Sequence, residues 1–175
     1  MERNVKFFKF TIIVVFIIGI TLLIFSSEQT TTLTDARSNG SPSARTGAPG
    51  ESSCTSCHNQ TAGPGQIQVI APSTYTPGQP IQISVTASTT DTGRSAWGFQ
   101  LTALDGTNTK AGTLAATTGN TTVINSSTRQ YMNQTNAGTF VGQVGGATWT
   151  FNWTPPASNV GPITFYTAGL LADKL

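Results

Sequence analysis

The sequence predicts an all-β protein with the antiparallel β-sandwich fold of immunoglobulin-like and fibronectin-like domains. Apolar and polar residues alternate in successive short runs, which is the pattern of strands with one buried face. Threonine, a residue that favours strands, is the commonest type, at 31 of 175 residues. Glycine and proline turns separate the runs. These features argue against a helical bundle and against a parallel α/β enzyme.

Residues 1–27 are predicted to export the chain. Arg3, Lys6 and Lys9 form a positive flank, and Phe10–Phe25 is a nearly continuous apolar run. Length and flanks fit either a cleaved signal peptide or an uncleaved membrane-anchor helix. In both cases the rest of the chain lies outside the cytoplasm, as a periplasmic, cell-surface or secreted protein. Residues 10–25 are the predicted contact with a membrane, and only if the segment is not cleaved.

The exported part is predicted to consist of a linker, a cysteine segment and a sandwich. Residues 28–53 are predicted to form a flexible linker, because they are rich in Thr, Ser, Gly, Pro and Ala and show no apolar periodicity. Both cysteines follow within residues 54–63, and residues 64–175 are predicted to form the sandwich.

Seven short strands are predicted within the sandwich. Alternation is regular in five runs: Ile67–Val69, Ile81–Ala87, Trp97–Ala103, Trp149–Trp153 and Ile163–Phe165. Two further strands are expected in less regular sequence, at Lys110–Ala116 and Arg129–Gln134.

The exported part is close to neutral, with six basic and six acidic residues from residue 28 onward. A neutral chain lacks the positive field with which nucleic-acid binders and polybasic membrane binders attract their partners. We therefore expect no nucleic-acid partner. The single histidine and the few carboxylates form no convincing Ser-His-Asp set or glycosidase pair. We expect a carrier or a binding protein and not an enzyme.

The stretch with the clearest chemistry is Cys54-Thr55-Ser56-Cys57-His58. This C-x-x-C-H pattern is typical of c-type haem attachment. Its spacing lets both thiols reach the vinyl groups on one edge of a porphyrin, and it carries the histidine under the ring as an axial iron ligand. The sequence therefore predicts one covalently bound haem c, attached through Cys54 and Cys57, with His58 as the proximal ligand.

Other uses of the two cysteines stay open. An oxidising compartment favours a disulfide between Cys54 and Cys57, although so short a loop stabilises little and leaves His58 unexplained. A zinc site needs four ligands, and this stretch offers three candidates. A thioredoxin-type pair needs a βαβ setting, which the sequence does not predict. Free thiols are the remaining alternative.

Met132 is the candidate for a distal iron ligand, because methionine opposite histidine is a familiar haem ligand pair. The competing interpretation, which we favour, is that Met132 lies on a strand and fills the core. Lys110 and Tyr131 are weaker candidates for the same role. The three tryptophans alternate on predicted strands and are interpreted as core residues: Trp97, Trp149 and Trp153.

The leading functional hypothesis is an exported monohaem c-type cytochrome that transfers single electrons outside the cytoplasmic membrane. Its redox partner would be a protein of unknown identity. The alternative is a non-redox surface module for binding or adhesion, in which Cys54 and Cys57 form a disulfide. The fold alone does not decide between the two hypotheses.

Several blocks of the sequence resemble the choice-of-anchor V domains, exported bacterial proteins related to reeler-type β-sandwiches. Thr46–Glu51 runs into the C-x-x-C-H motif. Later blocks follow in the same order: Tyr75–Gly78, Gly98–Asp105, Ala111–Leu114 and Thr164–Gly169. The resemblance implies a surface or secreted β-sandwich with the C-x-x-C-H motif at its entrance. Such domains tend to continue into another strand, which implies an exposed edge strand here and self-association through it.

Overall fold

The computed structural model describes residues 39–58 and 63–173, which form two packed β-sheets. The strands are β1 (Gln66–Ile70), β2 (Ile81–Ser88), β3 (Arg94–Leu104), β4 (Thr113–Ala116), β5 (Thr121–Asn125), β6 (Gln130–Gln134), β7 (Gly146–Thr154) and β8 (Thr164–Asp173). Two short 3₁₀ helices lie at Cys54–Ser56 and Ala137–Thr139. Within this described part, no helix is long and apolar enough to cross a membrane. The predicted export segment, residues 1–27, lies outside the described residues.

The two sheets have four strands each, and all their pairs are antiparallel. Sheet A has the strand order β1-β2-β7-β4, and sheet B has the order β5-β6-β3-β8. This arrangement confirms the prediction of an all-β antiparallel sandwich. The comparison with immunoglobulin-like domains holds at the level of two facing antiparallel sheets.

The core lies between the sheets, where alternation along the central strands places apolar side chains on the inner faces. β2 and β7 pair in register, so that Val85 is opposite Trp149 and Ile83 is opposite Phe151. Phe99 of β3 faces them from sheet B, and its ring centroid lies 4.6 Å from that of Trp149. The three tryptophans are at most 2% exposed, which confirms their interpretation as core residues. Burying one large apolar side chain contributes about 1.5–3 kcal/mol of hydrophobic free energy.

Two strands lie at neighbouring edges of the sandwich. β8 is at one end of sheet B and β1 is at one end of sheet A, and the two strands contact each other. Ile67 of β1 packs onto Gly169 of β8, where a Cβ atom would lie 2.3 Å from the Ile67 Cδ1 atom. Among the described residues β8 pairs with β3 alone, so it is one of the two edge strands of sheet B, and β5 is the other. Self-association through this edge stays a prediction.

Strand boundaries differ from the predicted ones near tight turns. The carboxylate of Asp105 accepts the backbone N–H groups of Thr107 and Thr109, which closes a turn before the predicted strand. Gly112 has a φ of +73°, so β4 begins only at Thr113. β5 has no predicted counterpart, because its threonine-rich sequence alternates too weakly to be recognised.

The described part of the segment predicted as a linker, residues 39–53, packs on the outer face of sheet B. The amide nitrogen of Gln100 on β3 donates to the Ser41 hydroxyl at 2.8 Å, and its oxygen accepts from the Arg45 backbone N–H at 2.6 Å. Asn133 of β6 donates to the Ser41 carbonyl at 2.8 Å. Both amide side chains are fully buried. This segment thus covers a polar sheet face and positions the cysteines that follow it.

Candidate functional site

An open cleft lies between the sheets at one end of the sandwich. It is bounded by the connection from β1 to β2, the start of β2, the end of β7 and the start of β8. Its volume is about 440 Å³, which lies in the range of about 300–1,000 Å³ that small-ligand sites occupy. The register of the strands fixes its wall, because Ile81 of β2 is opposite Trp153 of β7.

Three aromatic rings lie in contact along the cleft. The centroid of the Trp153 ring lies 5.8 Å from that of Tyr75 and 5.1 Å from that of Phe165, both in edge-to-face geometry. The Tyr75 hydroxyl lies 3.1 Å from the Asn159 side-chain oxygen and 3.0 Å from the Gly161 carbonyl oxygen. These contacts hold the Tyr75 ring in place and join the two connections that form the mouth of the cleft.

The side chains that line the cleft are all uncharged. Its walls combine aliphatic residues with exposed polar groups. Ser73 and Thr74 supply the hydroxyl groups, and Asn159 supplies the amide. Two exposed apolar residues are sequence neighbours of the lining, Ile70 at 54% and Val160 at 40% exposure. Such a surface suits a neutral ligand that combines an apolar face with hydrogen-bonding groups.

The cleft has no predicted counterpart in the sequence. Trp153 is a core residue, as predicted, but its ring also forms part of the cleft wall. Tyr75 lies in a connection that the sequence marks as a turn, so its ring carries no periodic signal. Pro72 and Pro162 line the cleft from two separate connections. They are the residues of the lining whose type comes nearest to drawing attention to these connections in the sequence.

The C-x-x-C-H motif forms a closed surface turn. Cys54 starts the 3₁₀ helix Cys54–Ser56, and its carbonyl accepts the backbone N–H groups of Cys57 at 3.2 Å and His58 at 3.1 Å. Ser53 caps the helix by accepting the Thr55 backbone N–H. Cys54 is half-buried, whereas Cys57 and His58 are exposed. Both thiols are free.

The two thiols of this turn differ in environment. Burial raises the pKa of Cys54 above its ordinary value. At Cys57 the contact with the Ser56 hydroxyl, whose Oγ lies 3.7 Å from the sulfur, and the neighbouring Arg45 guanidinium lower the pKa of the thiol. The exposed thiol is therefore the more acidic of the two.

A polar cluster around Glu51 anchors the segment that leads to the cysteines. The Glu51 carboxylate accepts hydrogen bonds from the hydroxyls of Thr46 at 2.6 Å and Tyr131 at 2.7 Å, and it pairs with Arg129. Its side chain is 3% exposed. Burial alone would raise the pKa of Glu51, but these three partners outweigh it and the pKa is lowered. Burial and the hydrogen bond to Glu51 raise the pKa of Tyr131 to about 12.

The structure brings some of the predicted site residues together and separates others. Cys54, Cys57 and His58 share one surface turn. Met132 is fully buried on β6 within the hydrophobic core between the sheets, as its packing interpretation requires. Tyr131 points to the opposite face of the same strand, where it binds Glu51. The core position of Met132 separates its thioether from the exposed turn.

Fold and sites together define a two-sheet β-sandwich with a cleft between its sheets and a dithiol turn on its surface. The model of the Reeler domain family matches residues 48–172. The chain therefore belongs to the Reeler domain family. This membership confirms the reeler-like part of the predicted resemblance and supports a location outside the cytoplasm.

Two solved structures show weak similarity. The chitin-binding domain of Chi18aC from Streptomyces coelicolor is 20% identical, with 58% of this chain and 89% of that chain covered and a TM-score of 0.35. A DUF4466 family protein from Parabacteroides merdae is 10% identical, with 61% and 44% covered and a TM-score of 0.31. At these TM-scores neither similarity supports an inference about ligand or activity. No curated protein matches the chain.

The predicted cytochrome function is wrong. The chain is a Reeler β-sandwich, and its C-x-x-C-H motif lies on an exposed turn. In the part of the chain that the structure describes, no group of three or more His, Cys, Asp or Glu side chains could hold a metal ion. The predicted alternative, a non-redox binding module, agrees better with these findings. Attachment of haem c at Cys54, Cys57 and His58 stays a prediction.

Proposed function

We propose that this chain is an exported, non-catalytic binding module that holds a neutral ligand in the cleft between its sheets. The observation that carries the proposal is the composition of the cleft, in which three aromatic rings and aliphatic walls meet uncharged polar groups. Export rests on the predicted function of residues 1–27, and Reeler family membership supports it. The periplasm, the cell surface and the medium are the compartments in which such a module would act.

A neutral saccharide is the ligand class that this chemistry favours. A sugar ring presents an apolar C–H face that packs on aromatic rings such as those of Tyr75 and Phe165. Its hydroxyl groups are donors and acceptors for the exposed polar groups of Ser73, Thr74 and Asn159. A charged ligand would lose hydration in this cleft without gaining an ionic partner.

Preorganisation supports a binding role for the same cleft. The Tyr75 hydroxyl joins the β1–β2 connection to the β7–β8 connection through Asn159 and Gly161, and it accepts the Val160 backbone N–H at 3.2 Å. Rings that are held before binding lose little conformational entropy when a ligand arrives. The cleft therefore gains affinity from contacts that are already in place.

The test is a calorimetric titration of the exported chain with neutral and acidic oligosaccharides. We expect a neutral saccharide to bind, and Thr74→Arg to weaken it at least about tenfold, because a cation at the exposed rim blocks the cleft without touching the core. Phe165→Ala should weaken binding by a similar factor, because it removes one of the three rings.

Val144→Ala is the matched control. Val144 is 57% exposed, and it precedes the start of β7, whereas the cleft lies at the end of that strand. The control should bind like the unchanged chain. Tight binding of acidic saccharides in place of neutral ones, or equal affinity in Thr74→Arg and Val144→Ala, would contradict the proposal.

A further inference from the structure

We propose that Cys57 and Cys54 form an ordered thiol–disulfide exchange pair, in which Cys57 attacks an external disulfide and Cys54 resolves the mixed disulfide. The pair lies on the surface turn and acts independently of any ligand in the cleft. It gives the C-x-x-C-H motif a chemical use as a modification site. The external disulfide is of the class that oxidising compartments contain, a small-molecule or protein disulfide.

The turn brings the two cysteines close enough to react with each other. The Cys57 backbone N–H donates to the Cys54 carbonyl at 3.2 Å, and the His58 N–H donates to the same oxygen. Hydrogen-bonded turns hold their ends within about 7 Å. Disulfides join residues whose Cα atoms are usually about 4.4–6.8 Å apart. A small adjustment of this short surface turn is therefore enough to form the bond.

Exposure and charge set the order of attack. Cys57 is exposed to an incoming disulfide, while Cys54 is half-buried beneath it in the turn. The positive charge of the Arg45 side chain acts on both sulfur atoms of the turn. Among the described residues no carboxylate pairs with Arg45, so its charge is available to a thiolate. A thiolate beside a cation in an exposed position is the usual setting of a reactive cysteine.

Arg45 is itself held in place by the fold. Its backbone N–H donates to the buried Gln100 side chain at 2.6 Å, and its guanidinium donates to the Ala44 carbonyl at 2.9 Å. The Arg45 Nε atom is buried without a hydrogen-bond partner among the described residues. The same sheet-bound segment thus carries the cation and, a few residues later, the thiols.

The reaction balances with one external disulfide, for which glutathione disulfide serves as the probe. The Cys57 thiolate attacks one sulfur of glutathione disulfide, a new S–S bond forms, and one glutathione thiolate leaves. The Cys54 thiol then loses its proton to solvent and attacks the Cys57 sulfur, which releases the second glutathione. The two cysteines are oxidised to a disulfide, and glutathione disulfide is reduced to two glutathione molecules.

The experiment follows mixed-disulfide formation on the full chain by intact mass at neutral pH. Cys54→Ser keeps the attacking thiol and should accumulate one glutathione per chain. Cys57→Ser should react at least about tenfold more slowly, because its remaining thiol, Cys54, is half-buried and less accessible to glutathione disulfide. The unchanged chain should pass to an internal disulfide without accumulating the adduct.

Arg45→Gln on the Cys54→Ser background tests the role of the cation. We expect slower attack on glutathione disulfide at neutral pH. Arg94→Gln is the matched control, because Arg94 pairs with Asp91 and Asp173 and not with the turn. Equal rates for the two single-cysteine chains, a stable adduct on the unchanged chain, or thioether-bound haem on both cysteines would overturn the proposal.

Discussion

Glu51 anchors the cysteine-bearing segment to sheet B. It is a nearly buried carboxylate with three side-chain partners, and one of them, Arg129, also donates to the carbonyls of Pro49 and Asn108. An ionised carboxylate in such a place is stable only because its charge and lone pairs are matched. Removing the charge of Glu51 therefore leaves Arg129 without its ionic partner and weakens the hydrogen bonds of two hydroxyl groups.

Glu51→Gln should lower the free energy of unfolding by about 1–3 kcal/mol at neutral pH, because it removes a charge-assisted acceptor from buried donors. The pKa of Glu51 in the folded chain lies below its ordinary value of 4.5, so the carboxylate contributes stability above that pH. The contribution is lost as the pH falls through the lowered pKa. In urea unfolding between pH 7 and pH 3, the difference in unfolding free energy between the unchanged chain and Glu51→Gln should become smaller below pH 4.5.

Asp173→Asn serves as the comparison for this prediction. Asp173 pairs with Arg94 at 2.9 Å, but its side chain is 66% exposed. Exposed ion pairs contribute about 0–1 kcal/mol, so this variant should unfold close to the unchanged chain at every pH. If both variants lose the same stability, the cluster at Glu51 is no stronger than a surface ion pair.

The strands with regular alternation were predictable from the sequence. The two strands predicted in less regular sequence are present as β4 and β6, and β5 was not predicted. The predicted run Ile81–Ala87 is confirmed within β2, because its inner face meets the aromatic residues of β7. β5 was not predicted because most of its residues are half-buried, so that apolar and polar residues do not alternate clearly. Its pairing with β6, and not its own sequence pattern, determines that it is a strand. The cleft was not predictable, since it joins side chains from connections that are far apart in sequence.

Gly112 lets the chain approach β7 closely just before β4 begins. A Cβ atom at this position would lie 2.2 Å from the Thr154 carbonyl oxygen on β7, and the φ of +73° disfavours any side chain. Gly112→Ala should therefore lower the free energy of unfolding by about 1–3 kcal/mol. Its midpoint of guanidinium unfolding should fall while the slope of the transition is unchanged.

Gly119→Ala is the control for this substitution. No atom lies within 4 Å of a Cβ atom added at Gly119, which precedes β5 in a turn. We expect a change of no more than about 0.5 kcal/mol. If Gly119→Ala lowers the free energy of unfolding as much as Gly112→Ala does, the close approach of β4 to β7 is not the reason why residue 112 must be a glycine.

Sheet B is covered on both of its faces along β3. Its inner face packs on sheet A, and its outer face binds residues 39–53 through the amides of Gln100 and Asn133. The sequence could not reveal this cover, because a network of side-chain amides and backbone groups leaves no apolar period. The same network determines where Arg45 and the cysteine turn lie.

Gln100→Ala should release this cover while leaving the two-sheet core in place. The substitution leaves four groups without their partner, the Ser41 hydroxyl, the Pro42 carbonyl, the Arg45 N–H and the Asn133 amide oxygen. Each unsatisfied buried group costs about 1–3 kcal/mol, and about 1.4 kcal/mol corresponds to a tenfold change in an equilibrium. Hydrogen exchange should therefore accelerate at least about tenfold in peptides from residues 41–51.

The design of this measurement separates local release from general loss of stability. Peptides from β2 and β7 report on the core and should exchange at their former rates, because Gln100 faces away from it. Gln82→Ala is the matched control, since Gln82 is an exposed glutamine on β2. Equal acceleration in both sheets would mean that Gln100 stabilises the whole sandwich, and no acceleration would mean that the segment is held by other contacts. Selective release would establish that the cysteine turn depends on a buried amide of the sheet beneath it.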